Sequence, residues 1–186
     1  SAFSMITVIT GGSGSGKSEY AESVLLATKV AYQYYLATME VFGEEDQKKV
    51  ERHKKLREGK GFAAIERPRD LAGVDFQSPW EETAVLVECI GNLTANEFFA
   101  QGRAATREEE MLLEAKIVHG IGVLASQAKF LVIVTNEVSS DGEEYSAETT
   151  EYMRMLGRMN QKLFAMADRV VEVVCGIPVV LKGDET

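Results

Sequence analysis

Between the apolar run MITVIT (5–10) and the helix-like run EYAESVLLA (19–27), the chain carries GGSGSGKS, Gly11 to Ser18: four glycines, three serines and one lysine. A stretch so poor in side chains neither packs a core nor continues a strand, because glycine has the most backbone freedom to lose and nothing to bury. It must be a turn that lets main chain approach something closely. The pattern Gly-x-x-x-x-Gly-Lys-Ser, placed directly after a strand and opening a helix, meets the requirements of a phosphate loop, in which curled backbone N–H groups point inward and the helix adds its positive end. In such a loop Gly11, Gly12, Ser13, Gly14, Ser15 and Gly16 form the cradle. Lys17 then reaches the β and γ phosphates, and the Ser18 hydroxyl ligates Mg²⁺.

The remainder of the chain supplies the sheet that such a loop needs. Strands are predicted over 5–10, 30–37 (VAYQYYLA), 84–90 (AVLVECI), 130–135 (FLVIVT) and 169–174 (RVVEVV), with IPVVLK (177–182) following Gly176 as a closing hairpin or edge strand. Runs that are apolar throughout and separated by helices predict an α/β fold, a mostly parallel sheet flanked by helices on both faces. One helix is predicted from about Thr106 to Gln127, where Thr106 and the acids of TREEE suit a helix N-terminus. Gly120 and Gly122 weaken its middle, which points to close packing or a kink there. A second is predicted over about 147–167, with Met153, Leu156, Leu163 and Met166 as its apolar stripe and Asn160 interrupting it. Residues 59–83 and 139–146 show the weakest periodicity, and the acidic SSDGEEYS reads as a mobile loop or lid.

At 186 residues the chain is expected to be one domain over 5–186, with SAFS (1–4) a cloning remnant ahead of Met5. A net charge of −9 argues against sequence-independent nucleic-acid binding, which needs a basic surface. Neither a membrane span nor a signal peptide is visible, so the cytoplasm is the expected location. Cys89 and Cys175 each lie in apolar stretches and read as buried thiols without chemistry.

Mg²⁺ must also be held from a second direction, by an acid at the end of a neighbouring strand. Glu88, closing VLVE, is the best candidate, and Glu137 in TNEV competes with it. Both would face the crevice at the carboxyl edge of the sheet. Against the acidic background, six of the 20 Lys and Arg residues fall between Lys48 and Arg57. As a helix this segment aligns Val50, His53 and Leu56 on one face. It reads either as a solvated helix laced by pairs such as Glu45 with Lys49 and Glu51 with Lys55, or as a phosphate-gathering surface that keeps His53 neutral and nucleophilic. His119 has no such company and reads as a packing or surface residue.

The ordered set TGGSGSGKS, YLAT, ERHKK, VLVECIGNLTANE, VIVTNEV and GRMNQKLFAMADRVVEVVCGIPVVLK resembles the bifunctional adenosylcobinamide kinase/adenosylcobinamide-phosphate guanylyltransferase family of cobalamin biosynthesis, from Met5 to Gly183. The resemblance implies a RecA-like P-loop NTPase fold and a homotrimer. It also implies ATP, GTP and Mg²⁺ as cofactors and a corrinoid substrate. In such a family one domain phosphorylates adenosylcobinamide and then transfers GMP from GTP to the product through a covalent GMP-histidine. The matching histidine is His53. Ala37, Thr38 and Met39 are implied to line the nucleotide site, with Glu66 and Glu88 also contacting it. Better-known members often carry two adjacent histidines where this chain has Arg52 and His53. The rival expectations are a plain P-loop small-molecule kinase and, from a different class, a nucleotide-driven switch.

Overall fold

A computed structural model describes residues 3–40, 43–48, 51, 59, 61–100, 102, 105–137 and 145–184. The chain runs β1 (Met5–Thr10), α1 (Lys17–Ala27), β2 (Tyr32–Ala37), β3 (Ala63–Glu66), β4 (Thr83–Glu88), α2 (Ile90–Phe98), α3 (Arg107–Gln127), β5 (Phe130–Val134), α4 (Ala147–Met166), β6 (Arg169–Val174) and β7 (Ile177–Lys182). Two 3₁₀ turns, Leu71–Gly73 and Trp80–Glu82, join β3 to β4. Residues 43–48 are helical, whereas Arg52, His53 and the rest of 52–58, with Lys49 and Val50, lie outside the described residues. So does the greater part of the 139–146 loop.

The seven strands form one sheet in the order β3-β2-β4-β5-β1-β6-β7, parallel except for β7, which pairs antiparallel with β6. A parallel sheet must bury both faces, and the pleat sends alternate side chains to each. Val8, Val85, Val87, Leu131, Ile133 and Val170 point toward α2, α3 and α4, and meet Leu93, Ile117, Ile121, Met159 and Leu163. Ile9, Leu86, Val132, Val134, Val171 and Val173 point the other way, onto Ala21 and Leu25 of α1. Each large aliphatic side chain buried this way contributes roughly 1.5–3 kcal/mol. This is the expected α/β architecture, and the strand order, with β5 between the strand that leads into the glycine loop and the strand that ends in Glu88, is RecA-like.

Several expectations shift in detail. The third predicted strand stops at Glu88 rather than at residue 90. Cys89 is the extended N-cap of α2, its Sγ accepting from the Asn92 N–H at 3.4 Å, and Ile90 is already helical. On α4 the buried stripe is Met155, Leu156, Met159 and Leu163, while Met153 is half-buried and Met166 packs at the margin. Thr106 caps α3 in a reciprocal capping box with Glu109. Gly120 is there for close packing: a Cβ would lie 2.8 Å from Leu71 Cβ, whereas Gly122 opens onto space. Cys89 is buried as expected. Cys175 is not, because it forms the exposed tip of the β6–β7 hairpin. There Cys175 and Gly176 both take positive φ (48° and 77°), the signature of a tight two-residue turn. His119 is exposed on α3.

One polar clamp joins α3 to α4. Arg158 donates to Glu114 at 2.8 Å and to Glu110 at 3.1 Å, and those carboxylates are 4% and 2% exposed. Arg158→Leu strips them of their nearest cation, and breaking such a buried set typically costs about 3–5 kcal/mol. A lowered urea midpoint with an unchanged slope is the expected result.

Candidate active site

The glycine loop spans the gap between the carboxyl end of β1 and the start of α1. Gly16 takes the left-handed conformation (φ 91°) as the N-cap of α1, a position that strains any residue with a Cβ. At Gly11 a Cβ would lie 2.6 Å from Ser15 Oγ and 2.7 Å from the Val173 carbonyl, so only glycine fits. Gly12 and Gly14 open onto empty space, and Ser13 is exposed with them along the rim. Buried Ser15 Oγ has no hydrogen-bond partner among the described residues. Cleared space, an unanswered hydroxyl and a helix N-terminus together make a cradle for an anion. Lys17 Nζ donates to the Gly12 carbonyl at 3.1 Å, folded back over the loop that it would share with phosphate.

Sheet register assembles the rest. Ala37 pairs with Glu66 on one side and with Glu88 on the other, and Glu88 pairs with Val134, so these residues form one rung at the carboxyl edge of the sheet. Glu88 follows Leu86 by two and therefore faces α1. The Ser18 hydroxyl, on α1, donates to Glu88 Oε1 at 2.5 Å. A hydroxyl and a carboxylate in contact offer the hard oxygen donors that Mg²⁺ takes. Of the two acids that competed for this part, Glu88 is the one that meets Ser18.

The segment after β2 is fixed with similar economy. Buried Thr38 donates its hydroxyl to the Cys89 carbonyl at 2.7 Å and accepts from the Cys89 N–H at 2.8 Å. Asn96 of α2 donates to the Thr38 carbonyl at 2.7 Å and to the Pro68 carbonyl at 2.9 Å, tying the ends of β2 and β3 together. Met39 follows, half-buried, and Glu66 is exposed on the same edge. Burial pushes the Cys89 thiol up to about 11 and the Tyr152 phenol, which donates to the Gly91 carbonyl at 2.9 Å, up to about 12. Both stay neutral at physiological pH, and Cys89 is a cap rather than a nucleophile.

Three contributors were not read from the sequence as parts of the site. Glu172 on β6 acts on Glu137: hydrogen bonding to it, burial and its charge raise the Glu137 pKa, opposed by Lys17. A glutamate inside the β-branched run RVVEVV was the available signal. Asn160, which interrupts the α4 stripe, bonds the end of β5. Gly176 donates its N–H to the Ser15 carbonyl at 2.7 Å, so the last hairpin of the chain braces the loop near its beginning. His53, the expected nucleophile, lies outside the described residues, as does the basic segment around it.

Among solved structures, a type III secretion system ATPase of pathogenic bacteria matches with a TM-score of 0.56 at 10% identity, covering 96% of this chain and 57% of that one. A Pyrococcus horikoshii OT3 protein, PH0250, matches with a TM-score of 0.55 at 6% identity, covering 100% and 89%. These likenesses concern the fold. Sequence relatives are nearer. The bifunctional adenosylcobalamin biosynthesis protein CobU of Salmonella typhimurium is 30% identical, and that of Escherichia coli K12 is 29% identical. Each alignment runs over 184 residues, 96% of this chain and all of the relative. The family model described as cobinamide kinase / cobinamide phosphate guanyltransferase matches residues 7–181. The chain belongs to the cobinamide kinase / cobinamide phosphate guanyltransferase family.

Proposed function

We propose that the protein carries out two successive reactions of cobalamin biosynthesis at one nucleotide site. In the first, the hydroxyl of adenosylcobinamide attacks the γ-phosphorus of ATP or GTP, the bond to the β–γ bridging oxygen breaks, and nucleoside diphosphate leaves. In the second, a nitrogen of His53 attacks the α-phosphorus of GTP and pyrophosphate leaves. An oxygen of the cobinamide phosphate then displaces the imidazole, giving adenosylcobinamide-GDP. Covalent catalysis by the histidine replaces one difficult exchange with two in-line displacements.

The observation that carries the reading is the Ser18–Glu88 contact at 2.5 Å beside a glycine cradle at a helix N-terminus. Backbone N–H groups of Gly11 to Ser18 hold the polyphosphate, and Lys17 neutralises charge on the β and γ groups. Ser18 and Glu88 would hold Mg²⁺, which draws charge from the phosphate oxygens when it is bound. Ala37, Thr38, Met39 and Glu66 lie along the same sheet edge and supply the wall for the rest of the nucleotide. The proposed assembly is a homotrimer in which the basic segment of one subunit serves the site. No helix among the described residues is long and apolar enough to cross a membrane, and the cytoplasm is the proposed location.

Incubation of the protein with Mg²⁺ and GTP labelled at the α-phosphate tests the two-reaction reading. A stable protein-bound label that is lost in acid and kept in base, and that mass spectrometry places on His53, is the expected result. Protein that phosphorylates adenosylcobinamide yet takes up no label would be a plain kinase.

A further inference from the structure

β4 ends at Glu88, and Cys89 after it is buried where the ladder has stopped. Backbone N–H and C=O groups in such a place must find partners. One side chain supplies both. Thr38, fully buried one residue beyond β2, accepts from the Cys89 N–H at 2.8 Å and donates to the Cys89 carbonyl at 2.7 Å, while its own N–H donates to the Glu88 carbonyl at 3.0 Å. A hydroxyl fills this place because it donates and accepts at once.

The Thr38 carbonyl is held in turn. Asn96 donates to it at 2.7 Å and to the Pro68 carbonyl at 2.9 Å, and Asn96 stands on α2, the helix that Cys89 caps. These contacts close a ring: the end of β4 leads into α2, α2 holds Thr38 through Asn96, and Thr38 holds the end of β4. The N–H, hydroxyl and carbonyl of Thr38 are all bonded inside the protein and none of its surface is exposed, so its hydroxyl serves the fold of this edge rather than touching a nucleotide. Pairing with Ala37 and Val134 fixes the strand up to Glu88, and the grip of Thr38 fixes the residue after it. Between those two restraints stands the carboxylate that meets Ser18 at 2.5 Å.

We propose that Thr38, supported by Asn96, is a positioning residue for Glu88: it holds the main chain from which Glu88 projects, so that the carboxylate stays beside Ser18, where the two would hold Mg²⁺. The inference rests on the metal-holding role given to Ser18 and Glu88 in the proposed function. Groups that orient a metal-holding side chain typically contribute 10–100-fold to metal affinity or activity, because an unrestrained carboxylate samples directions that miss the metal.

The experiment measures Mn²⁺ bound in the presence of GDP by electron paramagnetic resonance, GDP affinity with Mg²⁺ and in EDTA, and phosphoryl transfer to adenosylcobinamide against Mg²⁺ concentration. Thr38→Val keeps the shape of the side chain and removes its hydroxyl. Its dissociation constant for Mn²⁺ should rise about tenfold or more, and the Mg²⁺ concentration for half-maximal phosphoryl transfer should rise with it. GDP affinity in EDTA should hold within about threefold, whereas a general loosening of the edge would weaken GDP in both conditions. Thr38→Ser, which keeps the hydroxyl, should bring Mn²⁺ binding back to within about threefold of wild type. Asn96→Ala should shift Mn²⁺ binding in the same direction by about threefold or more. Thr38→Val should add little to Glu88→Gln in the double variant, since it acts through that carboxylate.

Thr38→Val leaves two buried peptide groups unanswered, and should it fail to fold, Asn96→Ala decides on the same Mn²⁺ measurement. The inference falls if Thr38→Val, or Asn96→Ala in its place, binds Mn²⁺ as wild type does, if GDP affinity drops equally with Mg²⁺ and in EDTA, or if the losses from Thr38 and Glu88 multiply. Wild-type protein that binds GDP but no Mn²⁺ would remove the metal role of Ser18 and Glu88, and this inference with it.

Discussion

Lys17→Ala is expected to lower kcat/KM for phosphoryl transfer by about 10³-fold or more, and adduct formation comparably, while leaving the fold intact. Removing one preorganised group that stabilises developing charge typically costs 10²–10³-fold, and an ammonium at the β and γ phosphates carries a full charge rather than a dipole. The protein itself leans little on this side chain. Its hydrogen bond is to the Gly12 carbonyl on the rim of the loop, and nothing in either buried cluster depends on it. Circular dichroism melting should therefore stay within a few degrees of wild type while steady-state rates collapse. A loss smaller than about tenfold would mean that the loop does not hold the reacting phosphates.

His53→Ala should divide the two activities that Lys17→Ala removes together. Without an imidazole to bond to phosphorus, protein-bound label from α-labelled GTP should drop to background and adenosylcobinamide-GDP should not form. Phosphoryl transfer to the hydroxyl involves no such bond and should stay within severalfold of wild type. The pair of variants thus separates gripping a nucleotide from carrying one covalently. Label retained in the alanine variant would move the nucleophile to another residue, and a matching loss of kinase rate would make His53 part of the grip.

The phosphate loop was legible because its chemistry lies in eight consecutive residues, Gly11 to Ser18, between a strand and a helix. Long apolar strands were legible for a related reason: a parallel sheet buried on both faces needs runs such as TAVLVE and FLVIV, which few other contexts tolerate. β3 was missed. It is a four-residue edge strand, Ala63–Glu66, largely exposed, and its short alanine-rich stretch has neither the alternation nor the β-branched bulk that marks a strand. α2 was missed because Cys89 and Ile90 extend the apolar run of β4, and the change from strand to helix falls between two residues of similar hydrophobicity. On α4 the spacing of Met153 and Leu156 suited a helix face, yet the face that meets the sheet is turned toward Met155 and Met159. Glu88 was identified from its place at a strand end, while its partnership with Ser18 rather than that of Glu137 is a matter of pleat direction, settled only once β4 is in register with its neighbours. Glu172 becomes a neighbour of Thr10, beside the loop, through the sheet alone, and Asn160 reaches the end of β5 only once α4 is packed; no local pattern announces either.

The brace from Gly176 to Ser15 ties the order of synthesis to competence. A ribosome delivers the loop well before the turn that supports it, which emerges only after β2 to β6 have been made and β6 has found its place beside β1. Until then an emerging chain has the sequence for gripping phosphate without the finished grip, so free nucleotide in the cell meets a competent site only after β6 and its hairpin have been made.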